Sequence, residues 1–196
     1  MKKTIWLPLV FGLGFGILAG ISLAANIAYA DASGYSAGIY PIFFLLAFAL
    51  GGPLSALITV TVTVAIAALW GYPALKDLFM TYPSFMIINL LANAIAGIVS
   101  GLAYRFVYQR IKMPVRLLPW AGIVLLHYVI AVWITGEGAR ALIPDVQLVS
   151  GFFETLRISI LEMVAVFLIT SLIWIALPEH YRRPLWYELK PAEGKG

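Results

Sequence analysis

From Ala32 to Leu75 the chain runs for 44 residues without an Asp, Glu, Lys or Arg, and Gly51, Gly52 and Pro53 stand near the middle of that run. A bilayer core about 30 Å thick is crossed by roughly 20 helical residues, whereas 44 residues of unbroken helix would reach about 66 Å. The stretch therefore suits two crossings, with Gly-Gly-Pro as the hairpin between them. A short helix is expected over 39–50 and a longer one over 53–70, with Pro53 at a helix start, where its missing N–H is tolerated. The short helix leaves part of the membrane thickness unfilled, so a shallow cavity is expected on the outer side. Thr59, Thr61 and Thr63 alternate as they would in a strand. A strand in lipid must belong to a closed barrel, however, and no other part of the chain repeats the alternation.

Composition agrees with a membrane protein. Hydrophobic residues make up 62% of the chain and charged residues 11%, with a mean hydropathy of +0.96. That leaves too little polar surface to coat a water-soluble globule. The net charge of +4 comes from short basic clusters between apolar runs, as in loops at an anionic cytoplasmic face, and carries no sign of nucleic-acid binding. With no cysteine, disulfides, thiolate metal sites and cysteine nucleophiles are excluded.

Lys2, Lys3 and the small-residue "AYAD" at 28–31 imitate a secretory signal, but the apolar run 5–30 is 26 residues long, against about 7–15 for a signal core. It reads as a first membrane helix. Further spans are expected over 84–104, 117–135 and 152–177, with a cytoplasmic interfacial tail over 178–196. The chain is thus expected to be an all-α polytopic bundle of six transmembrane helices. Placing the N-terminus inside puts Lys2, Lys3, Arg105, Arg110, Lys112, Arg116, Arg182, Arg183, Lys190 and Lys195 on one side, ten of the thirteen basic residues. The positive-inside rule then sets both termini in the cytoplasm, in a cytoplasmic (inner) membrane. A re-entrant 39–50 would give five crossings and split the basic loop from the N-terminus.

Polar groups within apolar spans are the candidates for function, because lipid penalises them unless they find partners or water. Glu162 has no basic residue three or four positions away and is either a ligand-facing carboxylate or a bond between helices. Glu154 and Arg157, at i and i+3, can pair near the outer end. Asn89, Asn93, Ala96, Ser100 and Tyr104 form one helical stripe, suited to packing and, at the two asparagines, to binding. His127 lies mid-span, with Trp133 nearer the outer face. Gly12, Gly16, Gly20 and Ala24 form a ladder of small residues on the first helix, for internal packing or for docking another membrane subunit. No serine-protease motif, paired-Asp array or phosphate loop is present, and "GLGFG" at 12–16 lies in an apolar span with no strand before it. The chain is therefore expected to be neither an enzyme nor an ATP binder, with no cofactor and no metal.

The ladder, the "ALGGPLSAL" hairpin and "NAIAGIVSGLAYRFVYQR" at 93–110 together resemble the substrate-binding S-components of energy-coupling factor (ECF) transporters. The resemblance implies six helices and capture of a vitamin-like small molecule near the outer side. Glu162, Asn89, His127 and Trp133 then become candidate pocket groups. It also implies docking of a transmembrane coupling subunit with two ATPases on the first helix, although the family's usual alanines there are glycines here. A membrane sensor with its output in trans is a second expectation, and an accessory subunit of a larger complex a third.

Overall fold

The structure, a computed structural model, describes residues 3–33, 40–70, 83–142 and 152–183. Its helices are α1 (Lys3–Ser33), α2 (Tyr40–Leu46), a π-helical turn (Ala47–Gly51), α3 (Gly52–Trp70), α4 (Pro83–Arg110), α5 (Leu117–Leu142), α6 (Phe152–Ile158), α7 (Ile160–Ala176) and α8 (Glu179–Arg182). There is no strand among the described residues. Four stretches are long and apolar enough to cross a membrane: Pro8–Ala25, Tyr40–Leu69, Ile87–Arg110 and Leu117–Leu142. Ile160–Ala176 is a shorter apolar helix.

α1 and α3 run parallel. Gly12 faces Ile58, Gly16 faces Val62 and Gly20 faces Ile66, a constant offset along both helices. Between them the chain must return, and Gly51 lies against Phe11, near the start of α1. The reversal falls at Gly52, whose φ of 74° and ψ of −165° belong to a region that only glycine occupies without strain. Gly52→Ala is expected to cost about 1–3 kcal/mol, measured as a lower melting temperature of the purified protein. An unchanged melting temperature would show that the turn does not depend on this backbone conformation.

The alternating threonines resolve on this helix. Thr59 donates to the Gly12 carbonyl at 3.2 Å, while Thr63, one turn on, donates to the Thr59 carbonyl of its own helix at 2.7 Å and lies 3.3 Å from the Gly16 carbonyl. Thr61 points the other way and bonds its own helix at Leu57, at 2.8 Å. Side-chain hydroxyls reach a neighbouring helix backbone only where small residues let the two backbones approach. The small-residue ladder is thus filled by α3 of the same chain. Internal packing is what these glycines do, and a separate subunit has no room at Gly12, Gly16 or Gly20. Ala24, one turn on, is half-buried.

α4 and α5 form an antiparallel pair, with Ile88 beside Gly138 at one end and Tyr104 beside Trp120 at the other. α5 and α7 are also antiparallel, joined by Trp120 Nε1 donating to Thr170 Oγ1 at 2.8 Å and by Tyr128 near Glu162. The core at the basic end is aromatic: the Tyr104 and Trp174 rings stack 5.1 Å apart, and Trp120 meets each edge-on at 5.4 Å. Such pairs add about 0.5–1.5 kcal/mol each beyond their area burial.

The chain beyond α7 is tied down at this end. Buried Arg116 donates to the Ile111 carbonyl at 2.7 Å and pairs with Glu179 at 3.4 Å, while the Tyr104 hydroxyl donates to the Arg182 carbonyl at 3.1 Å. Of the interfacial tail expected over 178–196, residues 184–196 lie outside the described residues.

Beyond shifts of a few residues at other helix ends, and a π-helical turn ending the short helix, the larger departures from expectation are in the last three spans. α4 continues to Arg110 and α5 to Leu142, because a hydrogen-bonded helix need not stop where lipid stops. The expected helix 152–177 is divided at Ser159 into α6 and α7.

Candidate functional site

At the end of the bundle away from Arg105–Arg116, α2, α4, α5 and α7 surround a cavity of about 300 Å³. The first turn of α2 supplies Tyr40, Pro41 and Phe44; α4 supplies Asn89 and Asn93; α5 supplies His127, Tyr128 and Thr135; and Ser159 and Glu162 come from the α6–α7 break. The cavity lies over the start of α2, where the short returning segment leaves space.

Each polar wall has a local cause. The break at Ser159 makes Glu162 a first-turn residue of α7, and the N-terminal end of a helix dipole favours a carboxylate. Tyr128 donates its hydroxyl to Glu162 Oε1 at 2.7 Å. Asn93 Nδ2 donates to both the backbone carbonyl of Asn89, at 2.9 Å, and its Oδ1, at 3.0 Å. The backbone acceptor fixes the Asn93 amide, so its oxygen is the end left to accept, while Asn89 keeps its Nδ2 as a donor.

His127 is 3% exposed, and its ring is 5.5 Å from that of Phe48. It lies beside the Ala96 backbone carbonyl, and its Nδ1 is buried with no hydrogen-bond partner. Native proteins rarely leave a buried polar atom unsatisfied, and side-chain atoms of Ser22, Ser55, Ser100, Ser171 and Trp174 share this feature.

The structure thus brings together Asn89, Asn93, His127 and Glu162, four residues singled out from sequence. It does not bring Trp133 to them: that ring is 58% exposed on the outward face of α5 and does not line the cavity. Six residues from His127, it is turned about 240° around the helix. Arg157 is exposed on α6, and the side chain of Glu154 lies outside the described residues. On the asparagine stripe, Ala96, Ser100 and Tyr104 continue below the cavity as buried packing.

Sequence reasoning missed Tyr40, Phe44 and the role of Tyr128. Tyr128 adjoins His127 and carried a signal as a polar aromatic in an apolar span. Tyr40 and Phe44 carried none, since only the fold brings α2 against α5 and α7.

Among the described residues no cluster of three or more His, Asp or Glu could hold a metal ion. No family model, curated protein or solved structure matches the chain.

Proposed function

We propose that this chain is a membrane-embedded small-molecule-binding subunit of the S-component kind, spanning the inner membrane six times with both termini in the cytoplasm. The observation that carries the reading is the convergence of Asn89, Asn93, His127 and Glu162 from three helices on one cavity. Isolated polar residues retained only for helix contacts have no reason to meet at one space. The basic loop, the start of α1 and the end of α7 gather at the opposite end, which supports a cavity facing outward under the positive-inside rule.

Coupling to two ATPases through a membrane subunit belongs to this reading as the resemblance implies it. With the small-residue face of α1 filled by α3, that contact falls to the outward ridge of Val10, Leu13 and Ile17, each exposed.

Purification from native membranes, with mass spectrometry of co-purifying small molecules, supplies the ligand. Glu162→Gln is then expected to weaken its binding by more than about tenfold, or roughly 1.4 kcal/mol. Thermal stability should change little, because the glutamine oxygen still accepts from Tyr128. Unchanged affinity would remove the carboxylate from the binding site.

A further inference from the structure

The basic end of the bundle carries more positive charge than the chain neutralises. Among the described residues Arg105, Arg110, Lys112, Arg116, Arg182 and Arg183 lie there. Glu179 is the described carboxylate at this end, and it is shared between Arg116 at 3.4 Å and Arg182 at 3.0 Å. Residues 184–196 add Glu188 and Glu193 but also Lys190 and Lys195, so by charge they leave the excess unchanged.

Arg110 and Lys112 are the members of this group best placed to meet an outside anion. The Arg110 guanidinium lies over the Phe106 ring, 3.8 Å from its centroid and one helical turn on. An aromatic face holds a guanidinium in place while the N–H donors along its edge stay open. Arg110 is exposed, as is Lys112 in the turn between α4 and α5, and neither side chain makes a hydrogen bond or ion pair with a described residue. Two positions apart, their Cα atoms are separated by at most about 7.6 Å, so both side chains can reach one phosphodiester.

Hydrocarbon leads to the same point. Leu91, Ile95, Leu102 and Phe106 are exposed along α4, and at 3.6 residues per turn they and Arg110 fall within about 100° of arc. A soluble phosphate would draw nothing from that apolar line, whereas a lipid uses both parts.

We infer that the basic end of α4 is a binding site for an anionic phospholipid. The phosphate accepts from Arg110 and Lys112, and an acyl chain lies along Phe106 and Leu102. The site is at the far end of the bundle from the cavity and stands whether or not the cavity holds a ligand.

The test offers the full chain in detergent three probes: phosphatidylglycerol, phosphatidylcholine with the same acyl chains, and glycerol phosphate, which has the charge without the chains. Native mass spectrometry counts the adducts. Phosphatidylglycerol is expected to bind on the order of tenfold more tightly than phosphatidylcholine, since each basic residue at an anionic lipid contributes a several-fold factor. Arg110→Gln with Lys112→Gln should remove most of that preference. Lys190→Gln with Lys195→Gln takes the same charge from the tail and should keep it.

Equal binding of the two lipids would overturn the site, and so would equal loss in both double variants, which is the mark of a diffuse field. Glycerol phosphate binding as tightly as phosphatidylglycerol would overturn the lipid assignment in favour of a soluble phosphate. The wild-type comparison of the three probes decides the assignment even if a variant fails to fold.

Discussion

Gly16→Leu is expected to destabilise the protein by about 3 kcal/mol or more, at the upper end of what overpacking a tight seam costs. A Cβ on Gly16 would lie 2.7 Å from Val62 Cβ and 3.1 Å from the Thr59 carbonyl oxygen. The second contact is with backbone, so no rotamer change relieves it, and the rest of the leucine has to force α1 from α3. Separation also breaks the bond from Thr59 to Gly12 and the longer contact of Thr63 with the Gly16 carbonyl. Gly14→Leu is the control, since nothing lies within 4 Å of its Cβ position. Replacing an exposed helical glycine there should be neutral or slightly stabilising. The readouts are melting temperature and the monodisperse fraction after size exclusion. Equal behaviour of the two variants would mean that the α1–α3 seam is not as close as described. A Gly16→Leu protein that stays folded and loses only a partner would instead revive the docking role.

The hairpin was legible because it rests on arithmetic: an uncharged run too long for one crossing, broken where glycine can take a backbone conformation barred to other residues. What local pattern could not show was which neighbour the glycine ladder meets. A small-residue face says only that some backbone comes close, and the identity of that backbone depends on the return through α2. Helix ends past the apolar core were also hidden. The run after Thr135 loses hydropathy, yet α5 continues as helix there, with Glu137 and Arg140 paired at 2.8 Å in solvent-exposed positions. Hydropathy marks where lipid ends, not where backbone hydrogen bonding ends.

The site was half legible for a related reason. Glu162, His127, Asn89 and Asn93 stand out because lipid makes each costly to place, a cost visible in a single helix. Tyr40 and Phe44 cost nothing in an apolar helix, so their part in the cavity walls arises only from tertiary placement. Trp133 shows the converse error: its chemistry suited a pocket and its helical phase did not.

The second large effect is expected at Gly101, where α4 meets the π turn. A Cβ there would come within 2.7 Å of the Phe48 carbonyl oxygen, so Gly101→Leu should cost about 3 kcal/mol or more. One turn earlier, Gly97 faces the same residue differently, and a Cβ there would enter the Phe48 ring. The two sites should therefore respond differently to a change at residue 48. Phe48→Leu removes the ring and is expected to restore most of the stability lost in Gly97→Ala. It should do little for Gly101→Leu, whose clash is with main chain. A double-mutant cycle on melting free energies reads this as coupling at one glycine and near-additivity at the other. Rescue at both would mean that the π turn yields easily and that its backbone is not held by α4. The distinction bears on the cavity, because Phe48 also packs against His127. If α4 fixes the π turn at Gly101, it fixes the ring that holds His127 in place at the cavity wall.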